Sequence, residues 1–277
     1  MQAASREALA HSRERLAQHT GGPSGARSDG QGLIGLADDL FAVAHLLDGQ
    51  VSLRRALADA SVRPDDRAGV AGRLLRGKVG DAAADVVETV ARQRWSRPLD
   101  LVEAVETLAT DAALDAAEAR GELDTVEDEL FRFGRIVDGD PDLGRLLGDP
   151  AADRTGKTTL LDRLLAGKVS PVTERLVRNS LTSRHVHNAA NAVERLSEAA
   201  SARRGQSVAH VVSAVELSDA QRQRLTGILE RTYGRTIGLQ VQVDPSIVGG
   251  LVIRVGDEIV DGSIANRLAA AGRRFAG

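Results

Sequence analysis

The chain has no cysteine, which excludes a disulfide framework, a thiolate metal site and a cysteine nucleophile, and fits a reducing compartment. Aromatic residues are scarce: one Trp, one Tyr and four Phe, or 2% of 277 residues. A core must therefore be built from Leu, Val, Ile and Ala, which suits helices packed with alanine at close approaches. An excess of one charge is also missing, since 36 basic and 39 acidic residues leave a formal net charge of -3. That balance argues against a general nucleic-acid binder, whose affinity for phosphate backbones needs a basic excess. No apolar run approaches the roughly 20 residues that cross a bilayer, and the opening MQAASREALAHSRERLA has no signal-peptide core. The expectation is a soluble chain with no direct membrane insertion. A hydrophobic content of 42% over 277 residues is enough for two cores, so two domains and mostly helix are expected.

What is present begins with a short helix over residues 5 to 19, with Ala8, Leu9, Ser12 and Leu16 on one face. A Gly-, Pro- and Ser-containing linker, GGPSGARSDGQG, follows at 21–32. From 33 to about 205 the pattern is helical, and it repeats: a shift of 90 residues aligns DLFAVAHLLDGQVSLRRALAD (39–59) with ELFRFGRIVDGDPDLGRLLGD (129–149) without a gap. Leu40/Leu130, Phe41/Phe131, Leu53/Leu143 and Leu57/Leu147 are shared, as are Gly77-Lys78 and Gly167-Lys168. A helical module has been duplicated, with copies at 33–120 and 121–205. Each copy has a helix ending at an Asp-Gly pair (Asp48-Gly49, Asp138-Gly139) and another ending near Gly77 or Gly167, where a left-handed residue can cap it. Ser170-Pro171 reads as an N-cap followed by proline, opening a helix with Leu176, Val177 and Leu181 on one face. The Ala- and acid-rich bridge at 99–128 reads as one long exposed helix or two.

Past residue 206 the period changes. Val-rich SVAHVVSAVEL (207–217) reads as a strand, Ser218 with Gln221 as a capping box, LQVQV (239–243) as an alternating strand, and LVIRV with EIV as a hairpin around Gly256-Asp257. The fold class is mainly α with a small α+β domain at 206–277, ordered strand, helix, strand, strand, helix.

Few residues offer chemistry. AADRTGKT (151–158) satisfies a relaxed phosphate-loop pattern, which makes a nucleotide-dependent helical switch using Lys157 the alternative reading. A working loop needs a strand before it, and DPDLGRLLGDP reads as helix and turn; the other copy has SVRPDDRA (61–68) at the same place. The bland reading is a helix start with Thr155 or Thr158 near its N-cap. His185, His187 and Asn188 lack the further ligands a metal needs, and their repeat partners are Trp95, Arg97 and Pro98, so a surface inter-helix turn is expected. His11, His19, His45 and His210 are scattered, and Trp95 reads as a packed helix end. No catalytic residue, cofactor or metal is assigned.

The most specific stretch is 243–263, VDPSIVGGLVIRVGDEIVDGS. Asp244-Pro245-Ser246 ends a strand, Ile247-Val248-Gly249-Gly250 turns the chain, and Asp261-Gly262-Ser263 leads into a last helix with Arg267 and Leu268. Gly249-Gly250 allows positive φ at a tight reversal, Pro245 stops a strand, and Asp261 or Ser263 can cap a helix. This run resembles the C-terminal signature of the F-type ATP synthase delta subunit, the OSCP family. The likeness extends upstream through AVELSDAQRQRLTGILERTYGRTIGLQVQV and LLGDPAADRTGKTTLLDRLLAGKVSPVTERLVRNSL. It implies a non-catalytic stator subunit of the peripheral stalk, at the cytoplasmic face of the plasma membrane. Its helical bundle would bind the N-terminal helix of the alpha subunit and its C-terminal domain the b subunits. Carried onto this chain, the alpha interface would involve Ala8, Leu9, Ser12 and Leu16 on the first helix with Leu176, Val177 and Leu181; Asp244, Pro245, Gly249, Gly250, Asp261, Gly262, Ser263, Arg267 and Leu268 would shape the b-contacting domain. The extra copy at 33–120 departs from the ordinary delta pattern and matches an actinobacterial type. It leaves two seats for the first helix, the alternative apolar face being Val86, Val87 and Val90.

Overall fold

The computed structural model describes residues 1–21, 30–206, 208–233, 237–244, 249–255 and 258–261. The chain divides into two compact units, Met1–Ala200 and Ser201–Gly277. The first is built from helices: α1 Ala3–Thr20, α2 Gly30–Gly49, α3 Val51–Ala58, α4 Pro64–Leu75, α5 Asp81–Arg92, α6 Pro98–Ala119, α7 Leu123–Gly139, α8 Pro141–Gly148, α9 Arg154–Leu165, α10 Pro171–Leu181 and α11 Ala189–Gln206. Helix α2 takes in residues 30–32, which the Gly-, Pro- and Ser-containing pattern assigns to the linker; residues 22–29 of that linker lie outside the described residues.

Helices α2 to α6 recur as α7 to α11 in the same order, 90 residues on. The boundaries have local causes. Proline occupies the first helical turn of α4, α6, α8 and α10, where its missing N–H costs nothing. Gly77 and Gly167 follow the ends of α4 and α9 with φ of 76° and 69°, a left-handed conformation that side-chain-bearing residues rarely adopt. Ser170 caps α10 by accepting the Thr173 N–H, as its place before Pro171 predicts.

The bridge at 99–128 divides at Gly121 into α6 and α7, and α6 is not exposed. Leu101, Val102, Ala104, Val105, Leu108, Ala109 and Ala112 are all 0% exposed. Apolar residues fall on more than one face of this helix, and such a helix is stable only when surrounded. It packs on α1, α2, α3 and α5 of the first copy and on α7 and α10 of the second. Alanine lets those neighbours approach closely, so α6 both completes the first copy and serves as the floor of the second. One continuous apolar core therefore runs from Ala8 in α1 to Ala200 in α11.

The second unit contains β1 Val208–Ser213, α12 Asp219–Tyr233, β2 Gly238–Val243, β3 Leu251–Val255 and β4 Glu258–Asp261. The sheet order is β2-β1-β3-β4. β1 and β2 are parallel and joined through α12, while β1–β3 and β3–β4 are antiparallel. The capping box forms: Ser218 N–H donates to Gln221 Oε1 at 2.9 Å and Gln221 N–H to Ser218 Oγ at 3.3 Å. Ala209, Val211, Leu225, Leu229, Ile237 and Val255 make a small separate core. Glu258–Asp261 pairs with β3 as the second strand of the hairpin that LVIRV and EIV predict. The expected last helix lies outside the described residues.

Candidate functional site: helix seats and buried clamps

Helix α1 is seated on α5 and α6, so of the two seats it takes the one in the first copy. Ser5, Ala8, Ser12 and Leu16 are buried beneath it, Leu9 is half-buried, and Val86, Val87 and Val90 are buried on α5. Polar contacts fix its register. Ser5 Oγ donates to Asp100 Oδ2 at 2.7 Å and accepts from the Ser96 N–H at 2.9 Å. Burial alone would push Asp100 up, but the Ser5 hydroxyl and the Arg97 guanidinium outweigh it and hold the carboxyl below its ordinary range. At the far end Arg15 donates twice to Asp85, at 2.5 and 2.8 Å, with His19 Nε2 at 2.6 Å from the same carboxylate. The Arg15 bonds hold Asp85 below its ordinary value.

Leu176, Val177 and Leu181 are each 0% exposed, on the face of α10 turned into the core with α6, α7 and α9. Apart from half-buried Leu9, the apolar residues expected to line a groove on α1 and α10 are buried within their own chain. Helical spacing finds an apolar face but cannot say what covers it. The outer side of α10 is braced against α2: Arg175 Nε lies 3.1 Å from Asp38 Oδ1, and His45 Nε2 3.0 Å from Asn179 Oδ1.

Three devices recur at the 90-residue offset. Arg67, 4% exposed, uses all five of its donor positions on backbone carbonyls: Nε to Ala91, Nη1 to Asp59 and Val62, Nη2 to Arg92 and Gln93, all within 2.7–3.0 Å. Its counterpart is Lys157, 5% exposed, whose Nζ donates to Leu147 O at 2.7 Å and Leu181 O at 3.5 Å. Both cations meet carbonyls at the ends of helices α3 and α5 or α8 and α10, where a positive charge is favoured. Asp39 and Glu129 are a second pair, accepting the N–H of the N-cap residues Gly80 and Ser170 at 2.8 and 2.9 Å. Gly77 and Gly167 are the third.

The phosphate-loop reading fails on this geometry. Helix α8 precedes the run, and Lys157 lies inside α9 with its ammonium committed to carbonyls. Burial pushes the Lys157 ammonium down, with Asp149 opposing it. The run is a helix start, as expected: Asp153 is the N-cap of α9, accepting the Gly156 N–H at 2.8 Å, and Thr155 lies in the first turn. Accordingly Lys157→Met is expected to lower the thermal midpoint of the bundle by several degrees, and ATP to leave the midpoint of both proteins unchanged. Differential scanning fluorimetry reads both; ATP protection lost in the variant would reinstate the nucleotide reading.

The His185 turn does join two helices, but His185 is no surface group. It lies between two carboxylates, Nε2 at 2.9 Å from Glu106 Oε2 on α6 and Nδ1 at 3.5 Å from Asp48 Oδ1 at the end of α2. Ser183 Oγ donates to Glu106 Oε1 at 2.6 Å, and the Arg184 N–H to Asp48 Oδ2 at 2.8 Å. Burial pushes the imidazole down, and the two carboxylates more than reverse it, raising His185 to about 10. Trp95, its repeat counterpart, is buried in the turn between α5 and α6 rather than at a helix end, its Nε1–H donating to Val90 O at 2.9 Å. His187 is exposed, and among the described residues no group of His, Asp or Glu could hold a metal ion. The cluster was invisible in sequence because its carboxylates come from the first copy.

In the second unit, Gly249 and Gly250 have φ of 135° and 89°, as a tight reversal before β3 requires. The Asp244 N–H donates to Ser213 O at 2.8 Å, tying the end of β2 to β1, and Asp261 pairs with Val252 in β4. Pro245, Gly262, Ser263, Arg267 and Leu268 lie outside the described residues.

A duplicated helical bundle with buried Arg67 and Lys157 bound to carbonyls at helix ends, followed by a small mixed-sheet unit, defines a mainly helical two-unit protein. The comparisons make that class specific. Residues 109–275 match the model of the family described as ATP synthase delta (OSCP) subunit. The chain is 46% identical to "ATP synthase subunit delta" of Streptomyces griseus over 277 residues, covering 100% of each chain. It is 45% identical to the Nocardia farcinica protein of the same description, again over 100% of both, and 46% identical to that of Corynebacterium diphtheriae over 83% of this chain and 84% of the other. A chain of the Toxoplasma gondii mitochondrial ATP synthase hexamer is similar at 20% identity and a TM-score of 0.32, over 61% of this chain and 95% of that one, too low to support a structural comparison. The chain belongs to the ATP synthase delta (OSCP) subunit family, and is a non-catalytic component of the peripheral stalk. The Streptomyces griseus and Nocardia farcinica relatives are actinobacterial and align across residues 33–120 as well.

Proposed function

We propose that this chain links the catalytic head of an F-type ATP synthase to its b subunits on the cytoplasmic face of the plasma membrane, so that rotation is coupled to ATP synthesis. The observation that carries this reading is end-to-end similarity to actinobacterial delta subunits at 45–46% identity. A stator must resist torque, and a single core with charged clamps across both copies gives a bundle that strains as one body. No helix of the described residues is long and apolar enough to cross a membrane. In this reading the attachment to the membrane runs through partners.

The alpha subunit's N-terminal helix would dock on the bundle in helix-in-groove fashion, and the unit built on β1 to β4 would meet b. The repeat favours one seat for the alpha helix. α6 stands to the turn after α10, through Glu106, Ser183 and His185, as α1 stands to the turn after α5, through Ser5 and Ser96. The family match also begins inside α6. The docking surface would then be limited to the half-buried residues of α6 and α10, such as Thr107, Thr110 and Ser180, with α1 as the matching first helix of the extra copy at 33–120. The buried Leu176, Val177 and Leu181, and on α1 Ala8, Ser12 and Leu16 with half-buried Leu9, would hold the helices in place beneath it.

The natural lack of cysteine makes a test simple. A single cysteine is placed at Ser180→Cys on α10 or Thr89→Cys on α5 and labelled with a fluorophore. An alpha N-terminal peptide carrying a quencher is expected to bind the full chain and quench the α10 label strongly and the α5 label little. The reverse pattern moves the seat to the extra copy, and no binding of the peptide counts against the alpha contact itself.

A further inference from the structure

The two copies differ where α7 faces α11. In the first copy Phe41 on α2 is 4% exposed; its counterpart on α7, Phe131, is 60% exposed. The opposing helix explains the change. Leu101, Ala104 and Leu108 on α6, all 0% exposed, become Asn191, Glu194 and Glu198 on α11. Three closing apolar side chains have been replaced by one amide and two carboxylates. α2 and α6 pack closely along their length, whereas between α7 and α11 a cavity of about 370 Å³ opens, lined by Phe131, Gly134, Asp138, Val193, Glu194 and Glu198 among others. Arg135 is the one basic residue lining the cavity, against Asp138, Glu194 and Glu198.

We propose that the α7–α11 groove is a docking site for an amphipathic helix of another protein of the assembly, one with an apolar stripe edged by Lys or Arg. The apolar stripe would cover Phe131, with Val193 buried beneath the groove, and the basic edge would pair with Glu194, Glu198 and Asp138. Charge complementarity selects this occupant: an acidic or a uniformly apolar helix would leave the three carboxylates unpaired beside it. The site adds a contact to the proposed alpha and b attachments and does not depend on which subunits supply those, because it rests on the difference between the copies alone.

The test uses the assembled membrane complex with a photo-crosslinking amino acid at Ser197, which lines the groove. Mass spectrometry of the crosslinked product is expected to identify a segment of another subunit with apolar residues at helical spacing and at least two neighbouring basic residues. The double variant Glu194→Gln/Glu198→Gln should reduce that product about fivefold or more, and Phe131→Ser should do the same while leaving the thermal midpoint of the purified chain unchanged. A crosslink to a second copy of this chain, to lipid or to an acidic segment overturns the proposal. So does a complex in which Ser197 yields no product while a crosslinker on the α6–α10 face does, an outcome that leaves the stator reading standing.

Discussion

Arg67→Leu is expected to destabilise the bundle by at least about 3 kcal/mol, the worth of one or two charge-assisted hydrogen bonds. Five bonds end on this guanidinium, and the substitution leaves carbonyls of Asp59, Val62, Ala91, Arg92 and Gln93 without their donor in a buried site. The effect is not five times one bond, because members of such a network are not independent. For a unit of this size the thermal midpoint should fall by about 6–12 °C. Arg67→Lys is the informative companion. The second copy runs on a lysine at the same position with two carbonyl partners, so a lysine should recover part of the loss. Urea unfolding followed by circular dichroism measures all three proteins; a Leu variant within about 0.5 kcal/mol of wild type, the usual range for a surface change, would show that the clamp is decorative.

Removing His185 should be comparably severe. His185→Ala leaves Asp48 and Glu106 facing each other without their cation, and breaking a buried pair in this way costs about 3–5 kcal/mol. The pH dependence carries a sign. The imidazole's value is raised from 6.5 to about 10 on folding, so the folded state holds the proton more tightly than the unfolded chain. The contribution is therefore fully present below pH 6.5 and is lost as pH rises toward about 10. The difference in stability between wild type and His185→Ala should shrink across that window, and a difference that is flat from pH 6.5 to 10 would mean that the charged pair is not what holds the copies together. Asp48 titrates in the opposite sense: burial works against it, but His185 and the Arg184 N–H hold it below 3.8, so its contribution is lost only in acid.

Much of the architecture could be read in the chain because a duplication writes its own alignment. The shift that pairs Gly77 with Gly167 also pairs Arg67 with Lys157 and Asp39 with Glu129, and all three pairs play matched roles. The phosphate-loop match was a by-product of one of these devices: Gly156 and Lys157 sit together because one opens a helix and the other caps its neighbours. Helix α6 was misread as exposed because acidic residues between its alanines look like a solvated face; in the bundle Asp100 is buried beneath Ser5 and Arg97, and Glu106 meets Ser183 and His185. The His185 cluster and the covering of Leu176, Val177 and Leu181 were out of reach for a common reason. Both depend on which copy packs against which, and periodicity describes one helix at a time.

The central claim is that this chain couples rotation to proton movement without chemistry of its own. It is tested most directly by stripping it from membranes that carry the enzyme and measuring ATP hydrolysis and ATP-driven proton pumping before and after the pure chain is returned. The account predicts that stripped membranes pump little and that the returned chain restores pumping with ATP hydrolysis coupled to it, whereas stripped membranes that pump as well as intact ones would contradict it.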